Sequence, residues 1–184
     1  ATRDELFTHL TSPEQYTRTQ ANRELVRRKV SRADIDTWIG TLEAKDPGYD
    51  HHLLEALWLA IALNHRSDGL EDGPLRSADP RIRAAAVRAV GRTAEGLAHL
   101  AVAVHDDHPR VRLAAVCALR DLGSREASDI VLGALDHEVD LNLDFALEMA
   151  VRDTRDAWLP AMQAGQKVFG GDANSLSYAL NKVK

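Results

Sequence analysis

Residues 79–91 read Asp-Pro-Arg-Ile-Arg-Ala-Ala-Ala-Val-Arg-Ala-Val-Gly, and residues 108–120 read His-Pro-Arg-Val-Arg-Leu-Ala-Ala-Val-Cys-Ala-Leu-Arg. Seven of the thirteen positions are identical, and Pro80 and Pro109 stand 29 residues apart. A unit this short cannot bury its own apolar face and must stack on neighbouring copies, so the repeat fixes the class of architecture before any residue is interpreted. Weaker copies flank the pair. One begins at Pro13, with Arg18, Ala21, Arg23 and Leu25 in similar places after a short insertion. Residues 50–64 fit the same slot; another copy begins at Val139, with Leu143, Ala146 and Leu147 as its apolar stripe, and a degenerate one covers 172–183.

Each copy reads as the second helix of a pair. Pro80 and Pro109 suit a first helical position, where φ is preset and the missing N–H had no partner. Asp79 is a good N-cap and His108 a poorer one. Ile82, Ala85, Ala86 and Ala89 recur at three- and four-residue steps and make one apolar face. Gly91 and Gly123 fall near helix ends, where a left-handed residue costs glycine little. Shorter amphipathic stretches at 4–10, 32–44, 69–76, 94–104, 125–135 and 156–164 supply the first helices. Alternation in 100–104 could pass for a strand, but its alanines and its place in the repeat favour helix. No Asn-Gly hairpin signal occurs.

The expected fold is therefore all-α, an α-α superhelix (solenoid) of five to six antiparallel helix pairs. The pairs lie near 4–29, 32–64, 69–92, 94–122, 125–153 and 156–183 and form one domain over 1–184. Composition agrees. Aromatics are only 5% of the 184 residues, and the apolar share leans on Ala and Leu, which favours helix over strand. The single cysteine, Cys117, excludes a disulfide or a Cys-based zinc site within these residues. No apolar run approaches the ~20 residues of a membrane span, and the opening Ala1-Thr2-Arg3-Asp4-Glu5 does not read as a signal peptide.

The string Asp-Pro-x-(Ile/Val)-Arg-x-Ala-Ala-Val-x-Ala-(Val/Leu) resembles the HEAT-repeat consensus. That resemblance implies a ladder linking one repeat to the next, carried here by Asp79 with Arg83 and Asp107 with Arg112. The outer repeats depart from it: Pro13 has no Asp before it, and Val139-Asp140 lacks the Arg. A narrower resemblance covers nearly the whole chain. The order Leu-x-Ser-Pro from Leu10, His-His-Leu-Leu-Glu-Ala-Leu-Trp from His51, the two central repeats, Asp-Leu-Asn-Leu-Asp-Phe-Ala-Leu-Glu from Asp140 and Trp-Leu-Pro-Ala from Trp158 is similar to the HEAT region of large exported planctomycete-type proteins. Those proteins combine a dehydrogenase-like propeller, a helical repeat region and a haem-binding c-type cytochrome domain with Cys-x-x-Cys-His. Neither the propeller nor Cys-x-x-Cys-His is present here. The resemblance thus implies an excised middle domain of an exported or periplasmic parent.

Candidate chemistry is sparse. His105-Asp106-Asp107-His108 contains metal-ligand types, but it falls in the turn between two helices, where a polar capping segment is expected. Asp136-His137 falls at the same turn one repeat later. His51 and Glu55 lie one helical turn apart and read as a surface pair beside Leu53, Leu54, Leu57 and Trp58. Cys117 takes the slot of Arg88 and reads as a buried, inert thiol, with partial exposure left open by that arginine. Trp38, Trp58 and Trp158 sit among aliphatic residues at helical spacing and read as core, and Gly170-Gly171 as a connecting turn. No Ser-His-Asp order, nucleophile elbow or phosphate loop appears. No catalytic residue, cofactor or metal ligand is therefore assigned.

Charge is distributed in blocks: +2 over 1–30, −6 over 31–79, +3 over 80–123 and −4 over 124–184, for a net −5. The central excess comes from Arg81, Arg83, Arg88, Arg92, Arg110, Arg112 and Arg120. Of these, Arg81, Arg88, Arg110 and Arg120 form a candidate partner-binding set, since guanidinium groups bind carboxylate or phosphate bidentately. The expected function is a non-enzymatic interaction scaffold for a protein partner or neighbouring domains. One alternative is a HEAT-like enzyme or nucleic-acid module resembling alkylpurine DNA glycosylases or bilin lyases. The acidic blocks oppose the nucleic-acid form, and the fragment is expected to be neither an enzyme nor membrane-inserted. A third reading, taken from the resemblance alone, is an accessory that positions a cytochrome against a dehydrogenase.

Overall fold

The computed structural model describes residues 1–65, 69–91, 93 and 95–183. Among them twelve α-helices occur and no strand: α1 (Arg3–His9), α2 (Gln15–Arg27), α3 (Arg32–Ile39), α4 (Tyr49–Ala62), α5 (Asp72–Leu75), α6 (Pro80–Val90), α7 (Gly96–Ala103), α8 (Pro109–Leu122), α9 (Arg125–Val131), α10 (Leu141–Asp153), α11 (Arg155–Gln163) and α12 (Ala173–Lys182). The fold class is all-α and HEAT-like, with the even-numbered helices taking the repeated second-helix role. Two sequence readings, Arg92 and a helix start at Ala94, lie outside the described residues.

The helix starts follow from short polar side chains. Thr2 and Ser31 close capping boxes with Glu5 and Asp34. Ser124, Asp140 and Asp172 each accept an N–H from their first helical turn. Asp79 Oδ1 accepts from the Arg81 N–H at 2.8 Å, and His108, against its poor ranking as a cap, accepts from the Arg110 N–H through Nδ1 at 3.1 Å. Two first helices are shorter than their periodicity suggests. The third element stops at Ile39 because Gly40 follows and a turn runs on to Pro47. The expected 69–76 helix contracts to Asp72–Leu75, a stretch half made of Gly73 and Pro74.

The chain divides into two compact units, Ala1–Ile82 and Arg83–Lys184. In the first, Leu6 and Phe7 of α1 and Leu10 just after it bury against Ala21 and Leu25 of α2, Ile35 and Trp38 of α3, and Ala56, Leu59 and Ala60 of α4. The Phe7 and Trp38 rings stack with centroids 5.5 Å apart. In the second, α8 packs against α7, α9 and α10, and α10 against α12. Trp158 is fully buried; its indole N–H donates to the Val151 carbonyl and its ring lies 5.2 Å from that of Phe169. Every second helix buries at least one alanine, among them Ala21, Ala56, Ala86, Ala115, Ala146 and Ala179. A methyl group there lets backbones approach closely, which is the physical use of an alanine-rich core.

Three readings are corrected. Trp58 is not core: it is 36% exposed, unlike Trp38 and Trp158. Cys117 is exposed, although burial of part of its side chain still pushes the thiol pKa up, helped by Asp121. Gly123 does cap α8 in the left-handed region at φ 62°, but Gly91 has no positive φ. Gly91 is required by proximity instead, because a β-carbon there would sit 2.7 Å from Cβ of Ala118 on α8.

Gly91→Ala should therefore cost about 1–3 kcal/mol by overpacking, measured by urea unfolding. In a double-mutant cycle Ala118→Gly should recover part of that loss beyond its own helix penalty of about 1 kcal/mol.

Candidate functional site

Arg112 is the fourth residue of α8 and only 3% exposed. Its Nη1 donates to the carbonyls of Asp106 (2.8 Å) and Asp107 (3.0 Å), and its Nη2 to the carbonyl of Glu138 in the next inter-helix turn (2.8 Å). One planar guanidinium thus satisfies backbone acceptors of two successive turns. Arg83, the equivalent residue of α6, donates from Nε and Nη2 to the two carboxylate oxygens of Asp106 at 2.9 and 2.8 Å. Asp106 Oδ1 also accepts the His108 N–H at 2.8 Å. Burial pushes the Asp106 carboxyl up, but Arg83 and the His108 N–H more than offset it and hold the group below the usual carboxylate range.

The first unit repeats this device with different spacing. Arg18 Nη1 donates to the carbonyls of Ser12 (2.7 Å) and Pro13 (3.0 Å), and its Nε to Glu55 Oε1 on α4 (2.8 Å). Glu55 is buried, so the expected surface pair with His51 is instead part of an interior ion pair; His51 Nε2 lies 3.4 Å from the same carboxylate oxygen. The Trp58 ring stands edge-on to His51, with centroids 6.4 Å apart. His52 is also buried, and desolvation lowers its pKa below the ordinary 6.5.

The four ladder residues named from sequence fall into two groups. Arg83 and Arg112 carry inter-repeat bonds. Asp107 is exposed and contributes its carbonyl, while the carboxylate that meets Arg83 belongs to Asp106. Asp79 caps α6 and holds the Arg81 guanidinium at 2.6 Å. The His105–His108 string is thereby distributed among structural tasks. His105 Nδ1 lies 3.2 Å from Asp136, Asp106 takes Arg83, Asp107 offers its carbonyl, and His108 caps α8. Among the described residues no three His, Cys, Asp or Glu side chains converge as metal ligands.

The four candidate partner-binding arginines also divide. Arg81, in the first unit, is paired with Asp79, and Arg120 of α8 is paired with Asp153 of α10 at 2.6 Å. Arg88 and Arg110 are exposed, and their side chains make no ion pair or hydrogen bond among the described residues. Sequence reasoning missed two neighbours in the second unit: Leu141 and Phe145, one turn apart on α10, are 89% and 64% exposed. The Leu143 and Ala146 stripe was the readable signal, since Leu141 and Phe145 lie off it.

Residues 67–152 match the family profile for HEAT repeats. That stretch is similar to HEAT repeats and holds the two strongest sequence copies. No curated protein matches the chain. No helix among the described residues is long and apolar enough to cross a membrane.

Both shifted groups bind protons less readily in the fold than in the open chain, so each contributes stability that is lost as pH falls. The His52 contribution is present above about 6.5 and declines below it, and the Asp106 contribution is present above about 3.8 and is lost below that. Thermal unfolding across this range should show the first decline in the wild type and a flatter profile between pH 7 and 5 in His52→Gln. An unchanged profile in that variant would remove His52 from the account.

Proposed function

We propose that the chain is a non-enzymatic scaffold that holds a protein partner, or neighbouring domains of the same polypeptide, against its second helices. The observation that supports this is the division of labour among the arginines. Arg18, Arg83 and Arg112 are committed to joining successive repeats, while Arg88 and Arg110 stand exposed without partners among the described residues. Repeats tied together this way present a surface whose shape exists before a partner arrives, which lowers the ordering cost of binding.

The setting follows from the resemblance to the HEAT region of large exported dehydrogenase and cytochrome proteins. In that setting the chain is periplasmic or exported and holds no cofactor, and redox groups belong to domains on either side. Duplex nucleic acid is not its partner, because the acidic blocks around the arginines oppose a polyanion.

A gel-shift assay at low salt should show no retarded duplex DNA at micromolar protein; tight retention would contradict the scaffold reading. The complete open reading frame checks the setting. A propeller upstream and Cys-x-x-Cys-His downstream would support it, and their absence would contradict it.

A further inference from the structure

In the first unit α1 and α3 line a cleft of about 430 Å³, a volume within the range of small-molecule sites. Positions 3, 4, 7 and 8 of one helix and 34, 37 and 38 of the other fall at helical spacing and share the facing surfaces, and Thr41 follows in the turn after α3. Phe7 and Trp38, the stacked rings that join the two helices, supply the apolar lining, and both are more than nine-tenths buried.

The polar groups of this cleft have a sign. Thr8 donates its hydroxyl proton to the Asp4 carbonyl (3.0 Å), Thr37 to the Ala33 carbonyl (2.8 Å) and Thr41 to the Trp38 carbonyl (2.6 Å). With those protons committed, the three hydroxyls can only accept from a ligand. Asp34 takes the Ser31 N–H and hydroxyl on Oδ2 and Arg3 Nη1 on Oδ1, the last at 2.6 Å. The Asp4 carboxylate accepts no hydrogen bond among the described residues, and Arg3 Nε lies 3.6 Å from it. The one guanidinium here is therefore held between two carboxylates, and the lining is negative as a whole.

Three ligand classes can be compared on that inventory. A carboxylate or phosphate that reached Arg3 would meet Asp34 and Asp4 beside it and receive nothing from the threonines. A neutral apolar molecule would use the rings and leave the acceptors unanswered. An organic cation that carries N–H groups uses all three features: the open Asp4 carboxylate, the threonine oxygens and the negative faces of aromatic rings.

We propose that the cleft between α1 and α3 binds a small organic cation, a primary ammonium or guanidinium group on an apolar body. The cation pairs with Asp4 and donates to the threonine oxygens, and the apolar body rests on Phe7 and Trp38. The site goes beyond the scaffold reading and does not depend on it. A free amine and an arginine side chain of a partner offer the same chemistry.

The test is an NMR titration of the whole ¹⁵N-labelled chain with phenethylammonium. Saturable shifts should be confined to the amides of 3–8 and 34–41 and the Trp38 indole N–H, with a dissociation constant of about 1 mM or tighter. Two controls change one feature each: 3-phenylpropionate reverses the charge, and phenethyltrimethylammonium keeps it but removes every N–H donor. The first should bind at least tenfold more weakly and the second at least threefold. Asp4→Asn and Thr37→Val should each weaken phenethylammonium about threefold, the scale of one exposed polar contact. Both positions are exposed, so unchanged urea unfolding separates lost binding from lost folding. Acetyl-Phe-Arg-amide distinguishes the sources: binding tighter than phenethylammonium assigns the site to a partner's arginine, and weaker binding assigns it to a free amine. No saturation up to about 20 mM, shifts outside the cleft, equal binding of either control, or insensitivity to both substitutions would overturn the proposal. Any of these results leaves the scaffold reading as it stands.

Discussion

The rest of the structure depends on what a buried guanidinium does at the junction between repeats. Helices leave carbonyls without intrahelical partners at their ends, and the turns that connect helix pairs are pressed against neighbouring turns. Arg112 answers three such carbonyls, Arg18 answers two and reaches Glu55, and Arg83 reaches the carboxylate of Asp106. Lysine would not replace this arrangement, since a single ammonium cannot direct donors along the fixed fork that these acceptors occupy. Removing the guanidinium would leave buried acceptors unsatisfied, which is more costly than the net gain of forming the bonds.

The interior between these junctions is built from alanine and branched aliphatic side chains, and its tolerance for volume is small. The contact between Gly91 and Ala118 shows how close the packing is. This explains why so few aromatics are needed. Phe7 with Trp38 and Trp158 with Phe169 fill the wider spaces, one pair in each unit. The last two second helices lack the arginine and carry Asp144 and Leu176 as their fourth residues. There the ties between α10 and α12 come from Lys182 and Tyr178 on Asp144.

Much of the fold was legible in the repeat: the proline-started helices, the alanine face and the pairing of helices all follow from periodicity. The length of α5 was not, because Gly73 and Pro74 limit a helix that the apolar spacing would have allowed. At the junctions, Arg83 and Arg112 were readable from their constant place after proline. The acid was not, since Asp106 and Asp107 are adjacent and only the geometry shows which carboxylate turns toward Arg83. The Arg18–Glu55 pair joins residues on different repeats with no shared motif, so no local signal announced it. The exposure of Cys117 had a signal, since it occupies the slot that Arg88 holds and an arginine there marks an outward position; Trp58 had none, because aligning 50–64 with the copy from Asp79 sets it against the buried Val87.

Within each unit, successive repeats are fixed to one another by arginine-centred junctions. The most direct measurement of this fixing is a double-mutant cycle on the Arg83–Asp106 junction, using Arg83→Met, Asp106→Asn and the combined variant, with unfolding free energies from urea titration. A coupling of about 1–3 kcal/mol is expected for a half-buried bidentate pair in one network. Additivity within about 0.5 kcal/mol would show that the junction carries no energy of its own and would contradict the account.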